Sequence, residues 1–364
     1  MKTLGKTIKR ETLAATKNQE TDPWNVSVDD LPPDLDREET LWFLLHFAVL
    51  APSPYNTQPW RFRIHRNEVE LHADFSRSLP GLDANHRELI ISCGAALFQL
   101  RVAMEYFGYS SNLIILPEPN HPTLLARAWM GPKCETAGDV VPLFHAIQRR
   151  RTNRLPFRPK AVPDELPTEV ADAARREGAW WRVVVNEEAR SAVADLVAEA
   201  DRIQWADKQF RYERAQWLRP NRGSCRDGLP ANVEGFSDLV SCVGPLIVRM
   251  VDLGKRHAAR DRGLALSSPV LGLLGTAADS ARDWLTGGQA LARVLLCAQT
   301  GDVQASFLNQ AVEVAELRPT LADLFGQAGF PQVLLCLGYG QDVPPTPRRP
   351  LKDVVVFSSR VNTG

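Results

Sequence analysis

The chain has no surplus of charge of either sign: 43 lysines and arginines stand against 43 aspartates and glutamates. That balance excludes a general basic footprint for nucleic acid and an acidic tail, so any local cluster needs a local explanation. There is no C-x-x-C pair. The six cysteines, at 93, 134, 225, 242, 297 and 336, are scattered, which fits neither a disulfide framework nor a zinc pattern. Cys93, Cys242, Cys297 and Cys336 fall in apolar runs and are expected as core thiols. The amino terminus is polar from Met1 to Asp30, without the apolar stretch of a secretion signal, and no run approaches a membrane span. A reducing cytoplasm is the simplest setting, with neither membrane nor nucleic acid as a partner. Also missing are G-x-S-x-G, H-E-x-x-H, the P-loop and G-x-G-x-x-G, so none of the common hydrolase, zincin or nucleotide motifs is available.

What remains is an ordinary globular composition in 364 residues, enough for two domains or for one large domain with insertions. Residues 1–35 read as an arm that orders around Trp24 and is closed off by Pro32-Pro33. The spacing of Leu41, Leu44, Leu45, Ala48 and Val49 predicts an amphipathic helix over Arg37–Leu50. It runs into Ala51-Pro-Ser-Pro-Tyr-Asn-Thr-Gln-Pro-Trp60, a loop with three prolines. Arg61–His65 and Val69–Ala73 alternate around Arg66-Asn-Glu68 as a hairpin. Arg87–Phe107 is expected as a long buried helix and Asn112–Leu116 as a short strand.

Further along, Pro163–Gly178 reads as a helix, Ala179–Val185 as a strand, and Glu187–Trp217 as a strongly polar helical stretch. Strands are expected at Pro245–Val251, Pro269–Leu274, Gln332–Gly338 and Val354–Phe357. Helices are expected at Asp283–Ala298 and Pro319–Gln327, with a loop at Ala305–Gln310. Gly94-Ala-Ala-Leu97 and Gly288-Gln-Ala-Leu291 occupy equivalent places in two long helices, which suggests an internal duplication.

The densest chemistry is Arg149-Arg-Arg-Thr-Asn-Arg154, four guanidiniums and a hydroxyl in six residues. It follows a helical pattern (Leu143, Phe144, Ile147) and precedes Leu155-Pro-Phe-Arg-Pro159, which cannot continue a helix. Two readings fit: a solvated helix end favoured by the helix dipole, or a clamp for a compact dianion, since each guanidinium fork can bind phosphate oxygens in pairs.

With Ala51–Trp60, the sequence resembles the FMN-dependent nitroreductase superfamily, whose signature is A-P-S-x-x-N-x-Q-P-W. Arg150-Arg-Thr-Asn-Arg154 looks like that family's phosphate motif, and Gly338-Tyr-Gly340 with Pro347-Arg-Arg-Pro-Leu351 like its terminal turn and basic tail. With Asp283–Leu291 the match runs from about residue 38 to 356. It most resembles the Acg-like branch, in which one chain holds two nitroreductase-like halves. The order of parts is unusual. The first half has the loop without an arginine motif, and the second has the arginines, but reads Arg176-Glu-Gly-Ala-Trp-Trp181 where its loop should be. In dimers of this family the loop of one subunit reaches the flavin held by the other's arginines. The resemblance therefore implies one complete flavin site per chain.

The roles it implies suit the residue types. Arg150, Arg151, Thr152 and Arg154 are expected on the FMN phosphate, with Arg348 and Arg349 closing from the tail unless they form a solvated end. Asn56, beside Pro52 and Ser53, can match the acceptor–donor–acceptor edge of the flavin ring; Gln58 contacts it or braces the loop. Trp60 is expected in the core. Ser306 and Asn309 are candidates near the ring face. His46 and His86 receive no catalytic role, because the cofactor carries the hydride chemistry and no catalytic side chain is required.

The expected fold is α+β, each half a mixed sheet flanked by helices, the halves (residues 36–137 and 138–364) packed as a monomeric pseudo-dimer. The expected function is NAD(P)H-dependent reduction of a small molecule such as a nitroaromatic or quinone, through FMN. Two alternatives remain: an FMN store with little turnover, and a biosynthetic flavin dehydrogenase. The polar segment 201–236 bears on the choice, as a lid over the flavin or as a peripheral helical hairpin.

Overall fold

The computed structural model describes residues 22–31, 35–326 and 329–357. Most of the expected arm (residues 1–21) and Pro32-Pro33 lie outside the described residues. Trp24 is placed: its indole Nε1 donates to the Thr346 carbonyl (2.8 Å) and its ring faces the Arg151 guanidinium at 4.3 Å.

Helix α1 (Arg37–Ala48) starts at a capping box in which Asp36 and Glu39 satisfy each other's backbone N–H. Thr40 through Ala48 are all buried, so the helix is enclosed on every side and not amphipathic as expected. Trp42 and Phe43, off the spacing that was read, pack on Phe357 and Phe107. The hairpin β1 (Trp60–His65) and β2 (Glu68–Ala73) follows as expected, with Trp60 fully buried. Then come α2 (Arg87–Tyr106), β3 (Tyr109–Ile115) and β4 (Leu124–Lys133). The sequence reading missed β4; its end, Gly131-Pro132, carries turn signals that hide the strand before it.

Next are α3 (Val140–Arg149), α4 (Leu166–Arg176) and β5 (Trp180–Val183). The polar helical stretch is two helices, α5 (Glu187–Ala206) and α6 (Lys208–Trp217), broken where Asp207 caps the second by accepting from Gln209 N. A short parallel pair, β6 (Leu218–Arg219) and β7 (Leu229–Pro230), precedes α7 (Gly244–Met250) and α8 (Gly254–Ser267). Helix α7 replaces the strand expected at Pro245–Val251. A short apolar run does not separate strand from helix, and proline is tolerated in a helix's first turn. The exposure of Leu246 and Met250 on it, and of nearby Cys242, also overturns the expected burial of that thiol. Cys93 and Cys336 are buried as expected and Cys297 half-buried.

The chain ends with β8 (Val270–Thr276), α9 (Ala281–Thr300), β9 (Gln304–Phe307), α10 (Gln310–Glu313), α11 (Arg318–Leu324), β10 (Phe330–Gly338) and β11 (Val355–Phe357). The loop expected at Ala305–Gln310 is thus mostly strand, since β9 pairs antiparallel with β10 from Leu335↔Phe307 to Gly338↔Gln304.

Two sheets result. The first has the order β11-β1-β2-β4-β3, with β11 parallel to β1, so the last strand returns to the N-terminal sheet. The second has the order β5-β8-β10-β9, with a parallel bridge between Thr152 and Ala305 at its edge. Between them, α2 and α9 cross in backbone contact. Gly94 and Gly288 are the eighth residues of these 20-residue helices. A Cβ on Gly94 would lie 2.3 Å from the Leu285 carbonyl oxygen, and one on Gly288 2.0 Å from that of Ile91. No side chain fits there. Helix α2 is long and apolar enough to cross a membrane, with a mean hydropathy of 1.3, contrary to the sequence reading that no run approached a span. It is 83% buried within the protein, which accounts for that hydrophobicity.

Candidate functional site

The Ala51–Trp60 loop is held in a costly shape. Tyr55, Asn56 and Gln58 have φ of 48°, 54° and 51°, in the left-handed region that only glycine enters freely. Such strain persists only where surrounding bonds over-determine it. Here they do. The Asn56 amide donates to the carbonyls of Pro347 (3.0 Å) and Gly228 (3.3 Å), and its oxygen accepts from Arg348 Nη1 (3.0 Å). Gln58 donates to the Arg226 carbonyl and accepts from the Arg349 backbone N–H, while Ser53 Oγ accepts from Gln58 N. Arg348, almost fully buried, donates to the carbonyls of Val49, Leu50 and Ala51. The tail is stapled across the loop.

Below the loop lie the arginines that follow α3. Arg150 is 4% exposed, and only its Nη2 has a partner, the Leu50 carbonyl at 3.2 Å. Its Nε and Nη1 are buried with no acceptor among the described residues. A buried cation with unused donors is expensive. Burial, and then the charge of Arg151, pull the Arg150 pKa down to about 10. Burial likewise lowers Arg154 to about 10, aided by Arg214, and Arg348 to about 9, aided by Arg150 and Arg151. Glu234 and Asp22 pull Arg154 and Arg348 back only in part, and no carboxylate among the described residues forms an ion pair with any of the three, so the cluster is short of negative charge.

Arg150, Thr152 and Arg154 line one cavity of about 210 Å³ together with Pro52, Ser53 and Asn56. The loop from the N-terminal part and the arginines from the middle of the chain are therefore brought to the same space. Arg348, Ser306 and Asn309 also border it. Arg151 does not, since it turns back to the Gln148 and Arg150 carbonyls and stacks on Trp24. Gln58 and Arg349 also stand outside, bracing the loop and reaching the Asp353 carbonyl. Asn56 and Arg348 reach the cavity, but their polar atoms are spent on protein partners. His46 hydrogen-bonds the Phe43 carbonyl in the core, with a pKa lowered to about 4 by burial, and His86 packs on Phe75.

Residues 201–236 form a wall of the same cavity through Asp201, Trp205, Phe210, Arg214, Leu229 and Val233. They belong to a buried polar network that the sequence did not disclose. Arg214 Nε donates to Glu234 (2.8 Å), His257 Nε2 lies 2.9 Å from the other Glu234 oxygen, and His257 stacks on Trp205 at 4.4 Å. Burial would push the Glu234 carboxyl up, but Arg214 and His257 outweigh it and hold the group far below the usual carboxylate range. The signal was weak: a histidine, two acids (Asp201 and Glu234) and one arginine spread over three helices and a turn, with no spacing that marks them.

No family model matches the chain. A Mycobacterium tuberculosis protein named "Putative NAD(P)H nitroreductase Rv3131" is 32% identical over 328 residues, covering 87% of this chain and 91% of its own. The chain belongs to the NAD(P)H nitroreductase family. A second nitroreductase relative from M. tuberculosis, acg, is 28% identical, over 89% of this chain and 97% of its own. Among solved structures, the FMN-dependent nitroreductase NfnB from Mycobacterium smegmatis, in complex with NADPH, covers 60% of this chain and 99% of its own, at 17% identity and a TM-score of 0.41.

Proposed function

We propose that this chain is an FMN-dependent oxidoreductase that draws electrons from NAD(P)H and passes them to a small acceptor such as a nitroaromatic or quinone. The observation that carries the reading is Arg150, a buried guanidinium with two unpartnered donor nitrogens in the cavity where loop and arginines meet. A phosphate dianion matches what that cluster lacks. Arg150, Thr152 and Arg154 would hold it, and the apolar side chains of Ile91, Leu291 and Val333 offer surface for a planar ring. Bound there, FMN would supply two-electron hydride chemistry. The chain's own part is to fix the phosphate, exclude water and keep the strained loop against the ring.

The pseudo-dimer reading belongs to the same proposal. It is supported by two sheets on either side of one helix crossing, with glycines at matching positions. On this reading the chain builds a single flavin site.

A second reading, an FMN store, is favoured by one feature: residues 201–236 wall the cavity. Anaerobic mixing with NADPH separates the two. The oxidoreductase should lose its yellow absorbance within seconds. A fully FMN-loaded protein that stays yellow for minutes would instead favour the store.

A further inference from the structure

We propose that Asp201 and Asp261 hold a single proton between them at the wall of the cavity, and that Asp201 delivers it to the acceptor reduced there. The delivery step rests on the flavin reading above; the shared proton does not.

Asp201 on α5 and Asp261 on α8 are 2% and 4% exposed, and both line the cavity. Gln310 Nε2 donates to both, at 3.2 Å to Asp201 Oδ1 and 2.7 Å to Asp261 Oδ2, so one amide fixes their separation. Oxygens of the two carboxylates lie within 4.8 Å of each other, and carboxylates this close do not both ionise readily when water is excluded. The surrounding charges decide which one keeps the proton. From α8, Arg260 binds Asp261 through Nε (2.6 Å) and Nη2 (3.1 Å). Arg214 of α6 and His257 of α8 are both directed to Glu234. Glu313 on α10 accepts from Gln204, and burial beside Glu88 pushes its carboxyl well up, so it stays protonated and adds no negative charge to the site. Arg260 and Arg214 are bonded to Asp261 and Glu234 and pull the Asp201 carboxyl down only from a distance, and Arg154 lies close enough to feel Arg214, Glu234 and Arg260. Asp201 Oδ2 is left buried and without a partner, in a wall of the cavity.

Burial, and then Asp261, push the Asp201 carboxyl up to about 7. A divalent ion among Asp201, Asp261 and His257 would place more positive charge beside Arg260 and displace the Gln310 amide. A proton adds a single charge where the ion adds two, and it leaves the amide in place.

The step balances as follows. A nitro or carbonyl acceptor that takes a hydride from the reduced flavin gains two electrons and one hydrogen, and is left with negative charge on oxygen. The new O–H bond forms as the Asp201 O–H bond breaks. The resulting carboxylate is reprotonated from water before the next turnover.

The test uses the flavin-loaded protein and two readouts. Infrared spectra across pH should show a protonated-carboxyl band in wild type that titrates near neutrality. That band should be absent in Asp201→Asn and should titrate at lower pH in Asp261→Asn. In stopped flow, Asp201→Asn should bleach with NADPH within twofold of wild type but reoxidise with a nitroaromatic roughly 10²-fold more slowly, the low end of the usual contribution of a positioned acid. Asp201→Glu should recover part of that rate. An infrared band unchanged by Asp201→Asn, or a divalent ion bound one per chain and lost in that variant, overturns the shared proton. Reoxidation at the wild-type rate, or equal slowing of both half-reactions, overturns delivery alone. Protein that takes up no flavin removes delivery together with the flavin reading, while the infrared titration still decides the proton.

Discussion

Replacing Arg150 and Arg154 together by alanine should yield folded, colourless protein whose FMN affinity is lower by about 10²–10⁴-fold, since charge-assisted hydrogen bonds contribute roughly 1.5–3 kcal/mol each. The apo-protein should not suffer in step. Arg150 is buried with two unpartnered nitrogens, and for Arg154 burial outweighs the pull of Glu234, so its charge is costly too. Removing a buried cation that has no counter-charge relieves a cost, so the single variant Arg150→Met, which refills the volume, should melt at or above the wild-type apo temperature. The two measurements are an FMN titration and a thermal melt of apo-protein. If the arginines instead served as an ordinary solvated helix end, the double variant would stay yellow with unchanged affinity.

A change at Gly288 should be strongly destabilising. Glycine in mid-helix ordinarily costs about 1 kcal/mol relative to alanine, so an open site would gain stability from Gly288→Ala. Here the added Cβ would sit 2.0 Å from the Ile91 carbonyl oxygen and 2.9 Å from Gly94 Cα. Both neighbours are backbone and cannot swing aside. Gly288→Ala should therefore destabilise, and Gly288→Val should cost roughly 3 kcal/mol or more as the helices are forced apart. Flavin should be lost with it, because the loop packs on the α2 side of the crossing and the arginines belong to the segment after α3. Urea unfolding of both variants gives the answer. A Gly288→Ala protein more stable than wild type would mean the crossing is looser than described.

The parts of the site written in one piece were legible before the fold. Ala51–Trp60 and Arg149–Arg154 are contiguous, and their residue types declare a proline-broken loop and anion affinity. What sequence could not tell was how each side chain is used. Asn56 and Arg348 were read as ligand contacts, yet the chain consumes them as braces, a distinction set by the carbonyls of residues 49–51, 228 and 347 that only folding brings near. The acid network was invisible for a similar reason. Asp201, Glu234, His257, Asp261 and Gln310 come from separate elements, and each alone looks like a surface polar residue on a polar helix. In the fold, β4 and α7 were missed or misread because Gly-Pro and short apolar runs carry ambiguous local signals. The glycines at matching positions were read as a sign of duplication, and the close helix crossing they permit appeared only in the fold.

The central claim is that one chain builds one flavin site, its ring loop from the N-terminal part and its phosphate arginines from after α3. Titration of apo-protein with FMN, followed by protein fluorescence and checked by flavin released on denaturation, tests it most directly. The account predicts a sharp break at one FMN per chain, abolished by Arg150→Ala with Arg154→Ala. A break at two, or one FMN that survives loss of both arginines unchanged, would contradict it.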